Sequence, residues 1–117
     1  MQQTLEQLNQ TPGIVGSFIV GDDGMIVQAN MSAGIDVDVV GALASAILKT
    51  AGKAVERLRQ GPLRSVVLET ERNKMFFFPT KLGYLATIAS SDANLGLVRL
   101  EMKSAVAKLN AIDLTSP

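Results

Sequence analysis

The acidic residues are the first place to look for chemistry. Asp22 and Asp23 are adjacent, and Asp36 and Asp38 are separated by one residue. Paired carboxylates can hold a metal or share acid–base work, but adjacent residues on a turn point apart. Both pairs also sit where Asp serves the backbone: one within Gly21-Asp22-Asp23-Gly24, the other at a helix start. Ser17, Ser65, Ser90 and Ser91 carry hydroxyls, yet the 117-residue chain has no His and no Cys. This removes every Ser-His and Cys-His arrangement, along with thiol nucleophiles, disulfides and cysteine zinc sites. No glycine run ends in Gly-Lys-Ser/Thr, and the glycines at 13, 16, 21 and 24 miss the dinucleotide spacing. Neither catalysis by the chain's own side chains nor a bound cofactor is expected.

The basic residues are more suggestive. Lys49, Lys53 and Arg57 recur every four residues and form one stripe on a helix. Such a stripe is either a solvated face or a docking surface for an acidic partner, where charge complementarity speeds encounter. Before Lys49 the chain holds five acids and no Lys or Arg, and from there on 11 basic residues face six acids. The formal net charge is zero, which argues against general nucleic-acid binding, because that requires a basic face to neutralise phosphates.

These residues need a scaffold, and its elements are legible from the pattern. With 47% hydrophobic and 19% charged residues, the chain has a globular composition and a length that fits one domain over residues 1–117. The N-terminus lacks a signal-peptide pattern, and no stretch approaches the ~20 apolar residues of a membrane span. A soluble, cytoplasmic protein without direct membrane insertion is expected. Residues 2–10 read as a short helix stopped by Pro12-Gly13, and strands over 14–20 and 25–30 flank an Asp-Gly turn. A long helix over 36–60 starts at Asp36 or Asp38 and ends at Gly61-Pro62. Strands over 64–70, 74–78 and 82–89 follow, and a final amphipathic helix is capped from Ser91-Asp92. The economical fold is α+β: one five-stranded antiparallel sheet, with the long helix on one face and the terminal helices on the other.

The long helix carries two apolar lines. Val40, Ala44, Ile47, Ala51, Ala54 and Leu58 alternate steps of four and three and are expected to face the sheet. Small residues at Gly41, Ser45 and Gly52 run beside them, and a helical Gly costs about 1 kcal/mol relative to Ala. That line either packs tightly on the chain's own sheet or admits a helix from a second copy. In the 64–70 strand, Val66 and Leu68 share a face, and Arg64 and Glu69 either guard an open edge or pair across a two-fold axis. Phe76, Phe77 and Phe78 place aromatics on both faces of their strand, which must then be covered above and below.

The chain resembles the roadblock (dynein light-chain) family in its prokaryotic stand-alone form, from about Leu5 to Ile112. The resemblance rests on Pro12-Gly13-Ile14-Val15-Gly16-Ser17 with Asp23-Gly24, and on Tyr84-Leu85-Ala86-Thr87-Ile88 followed by Ala93-Asn94-Leu95-Gly96-Leu97-Val98-Arg99. It implies a homodimer whose long helices lie side by side and whose middle strands join two sheets into one. On that arrangement the dimer contacts fall on Gly41, Ser45, Leu48 and Gly52 of the helix and on Arg64, Val66 and Leu68 of the strand. It further implies a non-catalytic regulator or scaffold for a small Ras-like GTPase, with Lys49, Lys53 and Arg57 as the partner-facing stripe. A purely structural adaptor is the alternative, and a small-ligand sensor a more distant one.

Overall fold

The computed structural model describes residues 1–112. Helix α1 (Gln2–Asn9) leads into the hairpin β1 (Ile14–Val20) and β2 (Ile26–Asn30). The long α2 (Val37–Leu58) connects to β3 (Val66–Glu69), β4 (Asn73–Thr80) and β5 (Gly83–Ser90), and α3 (Leu95–Asn110) closes the order. All pairings are antiparallel and the sheet order is β2-β1-β5-β4-β3. The connection through α2 therefore carries the chain from one edge of the sheet to the other. The expected architecture and element order hold, with strand and helix ends shifted by one or two residues.

The triple phenylalanine shows how strand alternation builds two cores. Phe76 and Phe78 pack with Ile19 and Leu85 beneath Leu5 and Leu8 of α1 and Val98, Met102 and Leu109 of α3. Phe77 points the other way and joins Phe18, Val20 and Ala86 under Ala44 and Leu48 of α2. Each of the two most deeply buried of the three, Phe76 and Phe77, is at most 1% exposed and stabilises the fold by roughly 1.5–3 kcal/mol through area removed from water. Both expected coverings of β4 are present.

Turns and caps are local side-chain chemistry. In the β1–β2 turn, the Met25 N–H donates to Asp23 Oδ1 at 2.9 Å, and Gly24 takes φ +84°, a conformation that disfavours a Cβ. Asp36 caps α2 by accepting from the Val39 N–H at 3.3 Å, with Asp38 in the first turn. The expected ending at Gly61-Pro62 is corrected: α2 stops at Leu58, and Arg59 itself adopts the left-handed cap at φ 54°. The cap of α3 is also corrected, from Ser91-Asp92 to Asn94, which accepts from the Leu97 N–H at 3.1 Å. Asp92 instead accepts from the Ser90 hydroxyl at 2.6 Å.

Candidate docking surfaces

The face that α2 turns to the sheet is Gly41, Ala44, Ser45 and Leu48, all buried. This corrects the expected stripe. Ala44 belongs to the core and Val40 packs against it, but Ile47 is 42% and Leu58 65% exposed, and Ala54 is exposed too. The small residues explain the shift. A Cβ on Gly41 would collide with Cδ1 of Ile26, and Ser45 lies 3.4 Å from where a Cβ on Gly24 would stand. Gly41 and Ser45 thus let β2 and the β1–β2 turn approach the helix closely, which offsets the helical cost of glycine. Gly41, Ser45 and Leu48, expected at a dimer contact, are enclosed by their own chain. Gly52 is half-buried with nothing within 4 Å of where its Cβ would be.

What α2 leaves outward is a second apolar line that the sequence reading passed over. Val39 and Leu43 are 53% and 62% exposed, and with Ile47 they recur every four residues along one flank. The available signal was that spacing itself. Lys49, Lys53 and Arg57 are all exposed and occupy the other flank. The structure therefore separates an apolar flank from a basic one on the same outward surface.

Among the described residues strand β3 is an edge, paired only with β4. Val66 and Leu68 turn half-buried side chains to the α2 core, and Val67 points to the opposite face with 38% exposed. Glu69 pairs with its cross-strand neighbour Lys74 at 3.0 Å, within its own hairpin. Arg64 precedes β3 and lies in a groove of about 470 Å³ with Arg99 and Lys103 of α3.

A smaller cleft of about 290 Å³ opens between α2 and the β1–β2 turn, lined by Asp22, Ser45, Leu48, Lys49 and Tyr84. Burial raises the Tyr84 phenol above its ordinary pKa of 10.0, and the negative charge of Asp22 adds to the shift. Among the described residues no cluster of three or more His, Cys, Asp or Glu is placed to hold a metal ion. Nor, among them, is any helix long and apolar enough to cross a membrane.

The chain is thus a five-stranded antiparallel sheet with an apolar-flanked helix on one face and β3 at its edge. The chain belongs to the roadblock/LC7 domain family, whose profile matches residues 1–90. It is 33% identical to the uncharacterized Methanocaldococcus jannaschii protein MJ1340 over 112 residues, which span 96% of this chain and 98% of that one. Its fold is similar to that of Myxococcus xanthus MglB, with a TM-score of 0.88 at 18% identity over 93% of this chain and 90% of that chain. A structure described as MglB with tetrameric arrangement gives a TM-score of 0.83 at 17% identity, covering 92% of this chain and 83% of that chain.

Proposed function

We propose that this protein is a homodimeric, non-catalytic scaffold that docks a small Ras-like GTPase and modulates its hydrolysis of GTP. The observation that carries the reading is the pairing of an exposed apolar flank, Val39–Leu43–Ile47, with the open edge of β3. A second copy related by a two-fold axis covers both at once. Its α2 lies along the apolar flank, and its β3 pairs with β3, so that Val66 and Leu68 continue one core across the junction. Self-assembly of the fold is supported by the tetrameric arrangement named for the MglB relative. The GTPase reading is supported by family membership and by the basic flank Lys49–Lys53–Arg57, exposed on the outward surface of α2. Such a stripe suits an acidic surface on a partner and acts mainly on the rate of encounter. The chain adds no nucleophile or nucleotide loop, so its effect on hydrolysis is to position groups that the GTPase owns.

The test has two stages. Light scattering after gel filtration should give twice 12.4 kDa across the concentration range. Capture of small GTPases from the native host should then depend on whether GDP or a GTP analogue is supplied. A monomer at all concentrations removes the platform, and capture indifferent to nucleotide favours a structural adaptor instead.

A further inference from the structure

We propose that the groove between α3 and the segment leading into β3 binds an acidic segment of a partner protein, one whose carboxylates are interspersed with apolar side chains. The groove is about 470 Å³. Leu63, Phe78 and Val106 supply its apolar part, and Arg64, Arg99 and Lys103 supply three cations. Arg99 and Lys103 are one helical turn apart on α3, so both reach the same side. The Arg99 guanidinium lies 5.2 Å from the centroid of the Phe76 ring. Stacking of this kind holds the planar fork in place and leaves its N–H donors free for a carboxylate.

Among the described residues these charges are not answered by a carboxylate. Among the described residues the one ion pair is Lys74–Glu69, at the far end of β3 from Arg64. The acid nearest in sequence on α3, Glu101, is two residues from Arg99 and Lys103 and therefore projects away from their side of the helix. Three cations beside an apolar floor complement a chain that alternates carboxylates with apolar groups. Nucleic acid fits less well. Phe76 and Phe78 are at most 8% exposed and offer no platform for base stacking, and the chain carries no net positive charge.

The groove lies on the α3 side of the sheet, whereas the Lys49–Lys53–Arg57 stripe lies on the α2 side. The two surfaces can be occupied together, which is what a scaffold requires. The proposal does not rest on the GTPase, and because Arg64 adjoins the β3 edge at which the proposed dimer joins, the mass of each variant is read by light scattering beside the peptide titration.

The probe is a fluorescein-labelled peptide of alternating aspartate and leucine, titrated into the full chain and followed by anisotropy. Binding should weaken with added salt and fall by at least about tenfold in the pair Arg99→Glu with Lys103→Glu. Because Arg99→Glu also removes the stacking on Phe76, the pair Arg64→Glu with Lys103→Glu serves as a second variant with Arg99 in place. It should lose binding as well while keeping the wild-type circular dichroism. Lys49→Glu with Lys53→Glu should bind the peptide as wild type does. No binding, or binding unchanged in both groove pairs, overturns the proposal. Equally tight binding of an oligo-aspartate without leucine, or tighter binding of a single-stranded oligonucleotide, overturns it too, since the surface would then be a general polyanion site.

Discussion

Ile26 of β2 occupies the space that a side chain on Gly41 of α2 would need. That contact fixes how the long helix sits on the sheet, and through it which flank of the helix faces outward. Val39, Leu43 and Ile47 are exposed because Gly41, Ser45 and Leu48 are the residues that face in.

Gly41→Leu should therefore destabilise the fold itself. An overpacked contact of this type costs about 1–3 kcal/mol, visible as a lower Tm in thermal circular dichroism. Gly41→Ala sets a helix-propensity gain of about 1 kcal/mol against a displacement of the Ile26 side chain, and the net change should be small. A Gly41→Leu variant as stable as wild type would mean that the helix does not sit where Ile26 places it.

The dimer reading separates two other positions on the same helix. Leu43→Arg puts a charge into the apolar flank and should leave a folded monomer, shown by light scattering together with an unchanged circular dichroism spectrum. Gly52→Leu adds a side chain where nothing of its own chain lies within 4 Å and should gain about 1 kcal/mol from helix propensity. With the contact at Val39–Leu43–Ile47 it should keep the wild-type mass, whereas a folded monomer would place the contact at Gly52. A dimer that survives Leu43→Arg would show that this flank is not the contact.

On the opposite face, Asn9 ties α1 to the hairpin. The Ser17 hydroxyl donates to Asn9 Oδ1 at 2.7 Å, and Asn9 Nδ2 donates to the Asn30 carbonyl at 2.9 Å. Ser17 is fully buried, so Asn9→Ala strands its hydroxyl at a cost of about 1–3 kcal/mol. Amide exchange should accelerate along residues 2–9 more than in the strands. Uniform acceleration across the molecule would show that α1 does not open on its own.

The order of elements was legible because the hydrophobic period changes cleanly between helix and strand, and because Asp-Gly and Gly-Pro pairs mark the breaks. The three phenylalanines announced a strand covered on both faces for the same reason. The orientation of α2 was not legible. Ile47 and Leu58 sit at helical spacing from Ala44, and hydrophobicity does not distinguish a residue that meets its own sheet from one left for a partner. The small residues stand out in the sequence, but the neighbour they admit is Ile26 and the turn at Gly24, a long-range approach that no local pattern encodes. The groove beneath Arg99 was invisible for a related reason: Arg64 is 35 residues from Arg99 in sequence, and the fold brings them to one groove.

Tyr84 is the chain's one tyrosine, so its titration can be read directly from tyrosinate absorbance. Burial first, and the charge of Asp22 second, raise its pKa in the folded state above the ordinary value of 10.0. Between the unfolded and folded pKa values the native state keeps the phenol proton while the unfolded chain has lost it. Stability from this source is fully present below pH 10.0 and declines as pH rises through the folded pKa. The native midpoint should lie above that of the same chain in denaturant. Asp22→Asn should move it part of the way back, because the burial contribution remains. A native midpoint equal to the denatured one would mean that the phenol is fully hydrated, and that the cleft beside Lys49 is more open than the structure shows.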